Sequence, residues 1–339
     1  MNLNELALKY NTEEKCFAQL EKVRYGEKPC CNFCGSHRLT KRKHSIKWHC
    51  NACNKDSTVL YGTIFEDSRM PLTKWFQLIF IMLNAKKGIS SKQISRDIGV
   101  TYKTAWYSAM RVRCAMLDWG EQLEGIVEMD ETYIGGKPRK RNQQGVTADN
   151  ESNLGNVYQR DDKRLKRGRG TKKVAVAGII ERKGKVVAKV MDRLTSQELI
   201  GLLKKAVKIK DSTLMTDDFR SYQKMDEIIE RFVIQHSQKE YARGAIHTNT
   251  IEGFWSIIKN GIRGQYHVIS KKYLPFYLAE FTYRYNRRQL TISDSFNETI
   301  DNAVVSENQF NDYKPVGNVK RIVYPKKKKT RKKKCRKAA

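Results

Sequence analysis

The chain has 339 residues, 30% of them charged, and a net charge of +30. Such a length holds two or three domains with at least one sizeable core, and such a charge points to a polyanionic partner. The longest apolar run, Trp75 to Leu83, is too short to span a bilayer and lies between Lys74 and Lys86, and MNLNELALKY lacks the zones of a signal peptide, so neither membrane insertion nor secretion is expected.

Residues 1 to about 28 read as helix, with Leu6, Tyr10, Phe17 and Leu20 as its apolar positions. Cys31-x-x-Cys34 and Cys50-x-x-Cys53 follow, fifteen residues apart, each pair on a tight turn. That spacing suits one tetrahedral Zn²⁺ held by four thiolates, a zinc ribbon, and with no position left open for substrate its role is structural. His37, His44 and His49 are weaker candidate ligands, and Cys30 adjoins Cys31 without giving the two-residue gap. A disulfide framework is not expected from the eight cysteines, since four of them form these close pairs.

Residues 68 to 118 read as helices, and KKGISSKQISRDIGVTYKTAWYSAMRVR has the layout of a helix-turn-helix. Ser90 or Ser91 caps a first helix carrying Ile94 and Ile98, Gly99 makes the turn, and Thr101 caps a second helix carrying Ala105, Trp106 and Met110. Tyr102, Lys103 and Thr104 would then meet base edges in a major groove, with Arg111 and Arg113 on phosphate; the bland alternative is a helical hairpin in a core.

From Gly125 to about residue 290 strands alternate with helices. Gly125 to Ile134 alternates as a strand, and Lys173 to Glu181 and Lys185 to Asp192 are β-branched runs joined by a hairpin over ERKGK. Ser196 to Lys208 is an amphipathic helix with Ser196 as its cap, Thr213 to Thr216 a short buried strand, Phe219 to Ile229 a helix, Phe232 to Gln235 a strand and Thr250 to Arg263 a helix. Three strands, then helix, strand, helix, strand, helix is the order of an α/β, ribonuclease H-like domain with a mixed five-stranded sheet. A basic, Asn- and Gln-rich stretch, residues 137–172, interrupts its first two strands, far longer than a hairpin needs, and reads as a DNA-contacting insertion or an idle loop. The expected units are therefore 1–62 (helix and ribbon), 68–118 (helix-turn-helix), 124–290 (catalytic domain) and 291–339 (polar, then basic, tail). Lys326 to Lys337 carries ten positive charges, so the remainder stays near +20.

Three acids stand where predicted strands end or a predicted helix begins. Asp130 lies in VEMDETYIGG, Asp217 in LMTDDFRSY and Glu252 in HTNTIEGFW. On an alternating strand Val127 and Met129 face one way, Glu128 and Asp130 the other; Glu128 and Glu131 compete with Asp130, and Asp218 with Asp217 unless it caps the next helix. In the last helix Ile251, Phe254, Ile258 and Ile262 form an apolar stripe, and Glu252, Ser256, Lys259 and Arg263 an adjacent polar one. Clustered carboxylates repel unless neutralised, hard divalent cations neutralise them, and a pair of such ions drives phosphodiester chemistry. Lys259 would then hold a DNA phosphate, and Asn249 is a possible auxiliary ligand. Any one of these charges alone is more often a solvated face.

Taken together, CCNFCGS with HCNAC, MDETYIGGK, TDDFRSY and the long block HTNTIEGFWSIIKNGIRGQYHVISKKYLPFYLAEFTYRYNRR resemble the ISXO2-like DDE transposases (the IS1595 and Merlin relatives) over about residues 15 to 290. The resemblance implies Asp130, Asp217 and Glu252 as the catalytic triad on two Mg²⁺ (or Mn²⁺), Lys259 as the base two turns after the glutamate, and Zn²⁺ on Cys31, Cys34, Cys50 and Cys53. It implies water-driven cleavage at an element's end, transfer of the freed 3′-end into target DNA, recognition of terminal inverted repeats, a homo-oligomer on double-stranded DNA, and a bacterial cytoplasm (a nucleus in a eukaryotic relative). A DNA-binding regulator with an inactive core and a structure-specific nuclease are the rival readings; the first binds without nicking, the second cuts without joining.

Overall fold

The computed structural model describes residues 1–42, 45–117, 120, 122–135, 173–234 and 246–306. The insertion at 137–172, His44 and the Lys-rich tail lie outside the described residues.

The N-terminal helix expected up to about residue 28 is two helices, α1 (Leu3–Lys9) and α2 (Glu13–Tyr25). Thr12 breaks them by accepting from the Lys15 N–H, starting a new helix rather than continuing the old. Three short antiparallel strands follow, β1 (Leu39–Lys41), β2 (Trp48–Cys50) and β3 (Lys55–Ser57). Then come α3 (Leu72–Asn84), α4 (Ser91–Asp97) and α5 (Tyr102–Ala115). Ser90 caps α4 and Thr101 caps α5, as the sequence predicts, and Gly99 between them takes φ +61°, a value that favours glycine.

The chain after α5 forms one five-stranded sheet, built from β4 (Leu123–Ile134), β5 (Val174–Glu181), β6 (Val186–Met191), β7 (Val207–Asp217) and β8 (Arg231–Ile234) in the spatial order β6-β5-β4-β7-β8. The first three strands are antiparallel neighbours, while β7 and β8 add in parallel. This mixed sheet is the ribonuclease H-like arrangement, with β4 at its centre. Val127 and Met129 face a core formed with α6 (Ser196–Ala206), where Leu199, Leu202 and Leu203 are buried. The opposite face carries α7 (Asn249–Gly261) and α8 (Leu274–Asn286), through Ile251, Phe254, Trp255, Leu278 and Phe281.

Local differences from expectation have physical causes. Thr195, not Ser196, caps α6, accepting from the Glu198 N–H. The segment after β7, expected as a helix over Phe219 to Ile229, is a 3-10 helix, Arg220–Met225, with Tyr222 and Met225 fully buried on its inner face. The region expected as tail from 291 begins with α9 (Ile292–Val305), whose Phe296, Ile300, Ala303 and Val304 are buried in a core where α9 packs on α2, α3 and α5. The expected units 1–62 and 68–118 consequently share one core with α8 and α9.

Candidate active site

The register of β4 against β7 pairs Val127 with Leu214 and Glu128 with Met215. Two residues further, the same parallel offset sets Asp130 beside Asp217, the last residue of β7, on the same face of the sheet. Asp130, Glu131 and Asp217 each bring a carboxylate oxygen within 4.8 Å of the others. Neutral donors reach the group, among them the Trp255 indole N–H to Asp130 Oδ2 at 3.0 Å, the Tyr222 hydroxyl to Glu131 Oε2 at 2.7 Å and the Phe219 N–H to Asp217 Oδ1 at 3.1 Å. Burial, then the charges of Glu131 and Asp217, push Asp130 up to about 7 against the backbone and Trp255 hydrogen bonds that pull it down. Three carboxylate oxygens drawn this close together suit a hard divalent cation of the Mg²⁺ or Mn²⁺ kind.

Glu252 is not part of that group. It lies exposed in the first turns of α7, where Thr248 Oγ1 donates to its Oε1 at 3.5 Å. Trp255, three residues on and so a neighbour on the same helix surface, is the side chain that reaches Asp130. The indole fits because Asp130 pairs across β5 with Gly178, where a Cβ would stand 2.6 Å from Trp255 Cη2. Lys259 and Arg263 are exposed, Lys259 on α7 and Arg263 in a single π-helical turn, Ile262–Tyr266, that ends it.

Both competitors of Asp130 have definite places. Glu131 joins the acid group from the other face of β4, held by Tyr222. Glu128 is fully buried beneath the start of α7. Asp218 is exposed, and Asp217, not Asp218, takes the backbone N–H that follows. Trp255, Gly178 and Tyr222 escape a reading of the sequence. Glu128 carried a signal, because alternation places it on the face of Asp130, but nothing local shows that a helix covers it.

In the ribbon, Cys31, Cys34, Cys50 and Cys53 offer sulfurs within 4.8 Å of one another. The Cys31–Cys53 and Cys34–Cys50 separations are 3.7 and 3.6 Å, close to the edge of about 3.8 Å that tetrahedral Zn–S bonds of about 2.3 Å require. Both knuckles turn on a residue with positive φ directly after the second cysteine, Gly35 at 74° and Asn54 at 54°. The four residues thus fit a closed structural zinc.

On the helix-turn-helix, Tyr102 and Lys103 are exposed at the start of α5, while Thr104 is half-buried with its hydroxyl 2.9 Å from that of the cap, Thr101. Arg111 and Arg113 do not face outward as expected. Arg111 is 4% exposed, packs over Trp75 and Tyr107 and donates to the Glu66 carbonyl. Arg113 is fully buried and paired with Glu280 at 2.6 Å. Their positions on the inner side of a fourteen-residue helix leave neither available to phosphate.

Residues 11–56 match the transposase zinc-ribbon domain and residues 122–286 the ISXO2-like transposase domain. A transposase-like protein of Haemophilus influenzae is 31% identical over 109 residues, 32% of this chain and 86% of that one. A protein of transposable element ISH50 from Halobacterium salinarum is 29% identical over 257 residues, covering 74% of this chain and 80% of its own. Among solved structures, a pre-cleavage Mos1 transpososome is similar over 89% of this chain and 96% of that chain, at 12% identity and a TM-score of 0.28, a likeness too loose to inform the site. A ribonuclease H-like sheet with paired aspartates on adjoining parallel strands, behind a four-cysteine ribbon, defines a DDE-type transposase. Within that class, the chain belongs to the ISXO2-like transposases. Among the described residues no helix is long and apolar enough to cross a membrane.

Proposed function

We propose that this transposase binds the terminal inverted repeats of its element, cuts a strand at each end in a Mg²⁺-dependent hydrolysis and joins the freed 3′-ends to target DNA. The observation that carries the reading is the parallel register that stands Asp130 beside Asp217 with Asp130 raised to about 7. A divalent pair bound there supplies Lewis acidity to the attacking and leaving oxygens of an in-line displacement. Asp130 and Asp217 would hold the ions with Glu252 joining them from α7, and the Trp255 N–H orients the Asp130 carboxylate. Lys259 and Arg263 grip phosphates beside the scissile bond, and Tyr102 and Lys103 read base edges from the start of α5. In the cut, a water oxygen forms a bond to phosphorus as the 3′-oxygen leaves with a proton. In the joining step, that 3′-hydroxyl attacks a target phosphodiester directly, one P–O bond forming as another breaks. Because two ends must be held together, the active species is a dimer or larger assembly on DNA, acting wherever the element's DNA resides, in the bacterial cytoplasm for a bacterial host.

The test uses purified full-length protein on a labelled duplex ending in the element's repeat. Asp130→Ala should bind with unchanged affinity and lose cleavage by at least about a thousandfold. Undiminished cleavage in Mg²⁺ would refute the assignment; cleavage by wild type without any joined product would identify a nuclease instead.

A further inference from the structure

Of the helices with a resolved side-chain cap, α1, α2, α4, α5, α6 and α9 are each capped by their own Asn, Ser or Thr. The start of α7, like those of α3 and α8, lacks such a cap. Its N-cap residue, Thr248, makes no capping bond, and the orphan N–H groups of the first turn go to another element. Glu128 Oε2 accepts from the backbone N–H of Thr250 at 2.9 Å and of Ile251 at 3.0 Å, and Oε1 accepts from the Thr250 hydroxyl at 2.8 Å. Arg182 donates to Glu128 Oε1 at 2.8 Å and to the His247 carbonyl at 2.9 Å, tying the carboxylate to the chain just before the helix. A carboxylate with no exposed surface is costly to bury, and a cap from within the helix would stabilise it at lower cost.

What the buried carboxylate achieves is registration. Glu128 stands two residues before Asp130 on the same face of β4, so the two are about 7 Å apart along the strand. One turn along α7, Trp255 bonds to Asp130 itself. The helix is therefore fixed to a single strand at two points, Thr250–Ile251 on Glu128 and Trp255 on Asp130, and Glu252 lies between them.

We propose that Glu128, assisted by Arg182, is a positioning residue that seats the start of α7 on β4 and thereby delivers Glu252 to the metal site of Asp130 and Asp217. The proposal rests on the reading of Glu252 as a metal-holding acid. Glu128 neither meets DNA nor holds an ion; it acts through the helix it caps.

The experiment measures Mn²⁺ binding to the full-length protein by the EPR signal of free Mn²⁺, alongside cleavage of the repeat duplex, for Glu128→Gln, Glu252→Gln and the double variant. Removing an outer partner of a metal-holding group typically costs about 10–100-fold in affinity or activity. Glu128→Gln should weaken Mn²⁺ binding by about tenfold, keep repeat binding, and regain cleavage partly at high Mn²⁺. The double variant should bind Mn²⁺ no worse than Glu252→Gln alone, since the two act as one unit. Additive losses, or a Glu128→Gln protein with unaltered Mn²⁺ affinity, would overturn the proposal while leaving the carboxylate site standing. A Glu252→Gln protein with normal Mn²⁺ affinity would instead remove the reading beneath it, and the proposal with it. If Glu128→Gln does not fold, Thr250→Val decides, because it deletes only the hydroxyl donor: a native circular dichroism spectrum with Mn²⁺ affinity lowered about threefold supports positioning, and an unchanged affinity contradicts it.

Discussion

Asp130 is an acid the fold holds against its chemistry. Burial and the charges of Glu131 and Asp217 raise it from an ordinary value to about 7. A carboxyl whose folded pKa is raised contributes stability that is full below its unfolded value of about 3.9 and lost as pH rises through the folded value. Metal-free protein should therefore lose stability between about pH 4 and 7 through this group, and a bound dication should restore it above pH 7. Asp130→Asn keeps an oxygen for the Trp255 N–H but removes the charge. Its metal-free Tm should exceed that of wild type at pH 8, match it near pH 4, and no longer rise with Mg²⁺. A Tm lowered equally at both pH values would show that the charge is not the burden. At this scale the sequence displays its acids openly, by strand alternation and strand ends. It hides their partners: the indole over Asp130 and the phenol on Glu131 come from segments 125 and 91 residues away.

Among the elements, α7 is the one whose amphipathic pattern reads most directly into function. Ile251, Phe254 and Ile258 are buried and Glu252, Ser256 and Lys259 exposed, as the helical period dictates. Its seat depends on a missing side chain. Gly178→Ala would place a methyl 2.6 Å from the Trp255 ring, against a strand that cannot retreat without disturbing the centre of the sheet. Cleavage should fall at least about tenfold while repeat binding persists, because a displacement near 1 Å is enough to cost such factors; a Gly178→Ala enzyme as fast as wild type would mean that the indole does not govern Asp130. Other elements were less legible. In α9, Phe296, Ile300, Ala303 and Val304 follow a helical period, but the polar composition around them and the Lys-rich run beyond them mask it. Strand β7 extends back to Val207 because Lys208 and Lys210 alternate with more buried positions, a pattern that blends with the end of the preceding helix.

Across the whole molecule, α8 joins the two halves. Phe276, Tyr277 and Tyr283 enter the core of the N-terminal helices and α9, while Leu274, Leu278 and Phe281 enter the core beneath the sheet. Glu280 sits at the junction with no exposed surface, accepting from Arg113, Arg284 and the Tyr266 hydroxyl; the flanking guanidinium charges hold it below the usual carboxylate range against its burial. Tyr266 also receives the Ile89 N–H, so the turn that ends α7 rests on the loop that begins the helix-turn-helix. Glu280→Gln leaves two buried guanidinium groups uncompensated and should cost about 3–5 kcal/mol, lowering one transition rather than splitting it; two separated melting steps would show that the halves unfold independently. The sequence made the ribbon, the helix pair and the sheet order visible because each follows a local period or spacing. The shared core and this ion cluster were not, since they join Arg113 to a residue 167 positions later.

The most direct test of the account is anomalous diffraction from crystals of the protein on its terminal-repeat duplex grown with Mn²⁺. The account predicts Mn²⁺ at about 2.1 Å from oxygens of Asp130 and Asp217, with the Glu252 carboxylate turned in from α7 to the same site. Mn²⁺ bound elsewhere, in a complex that still cleaves its DNA, would contradict it.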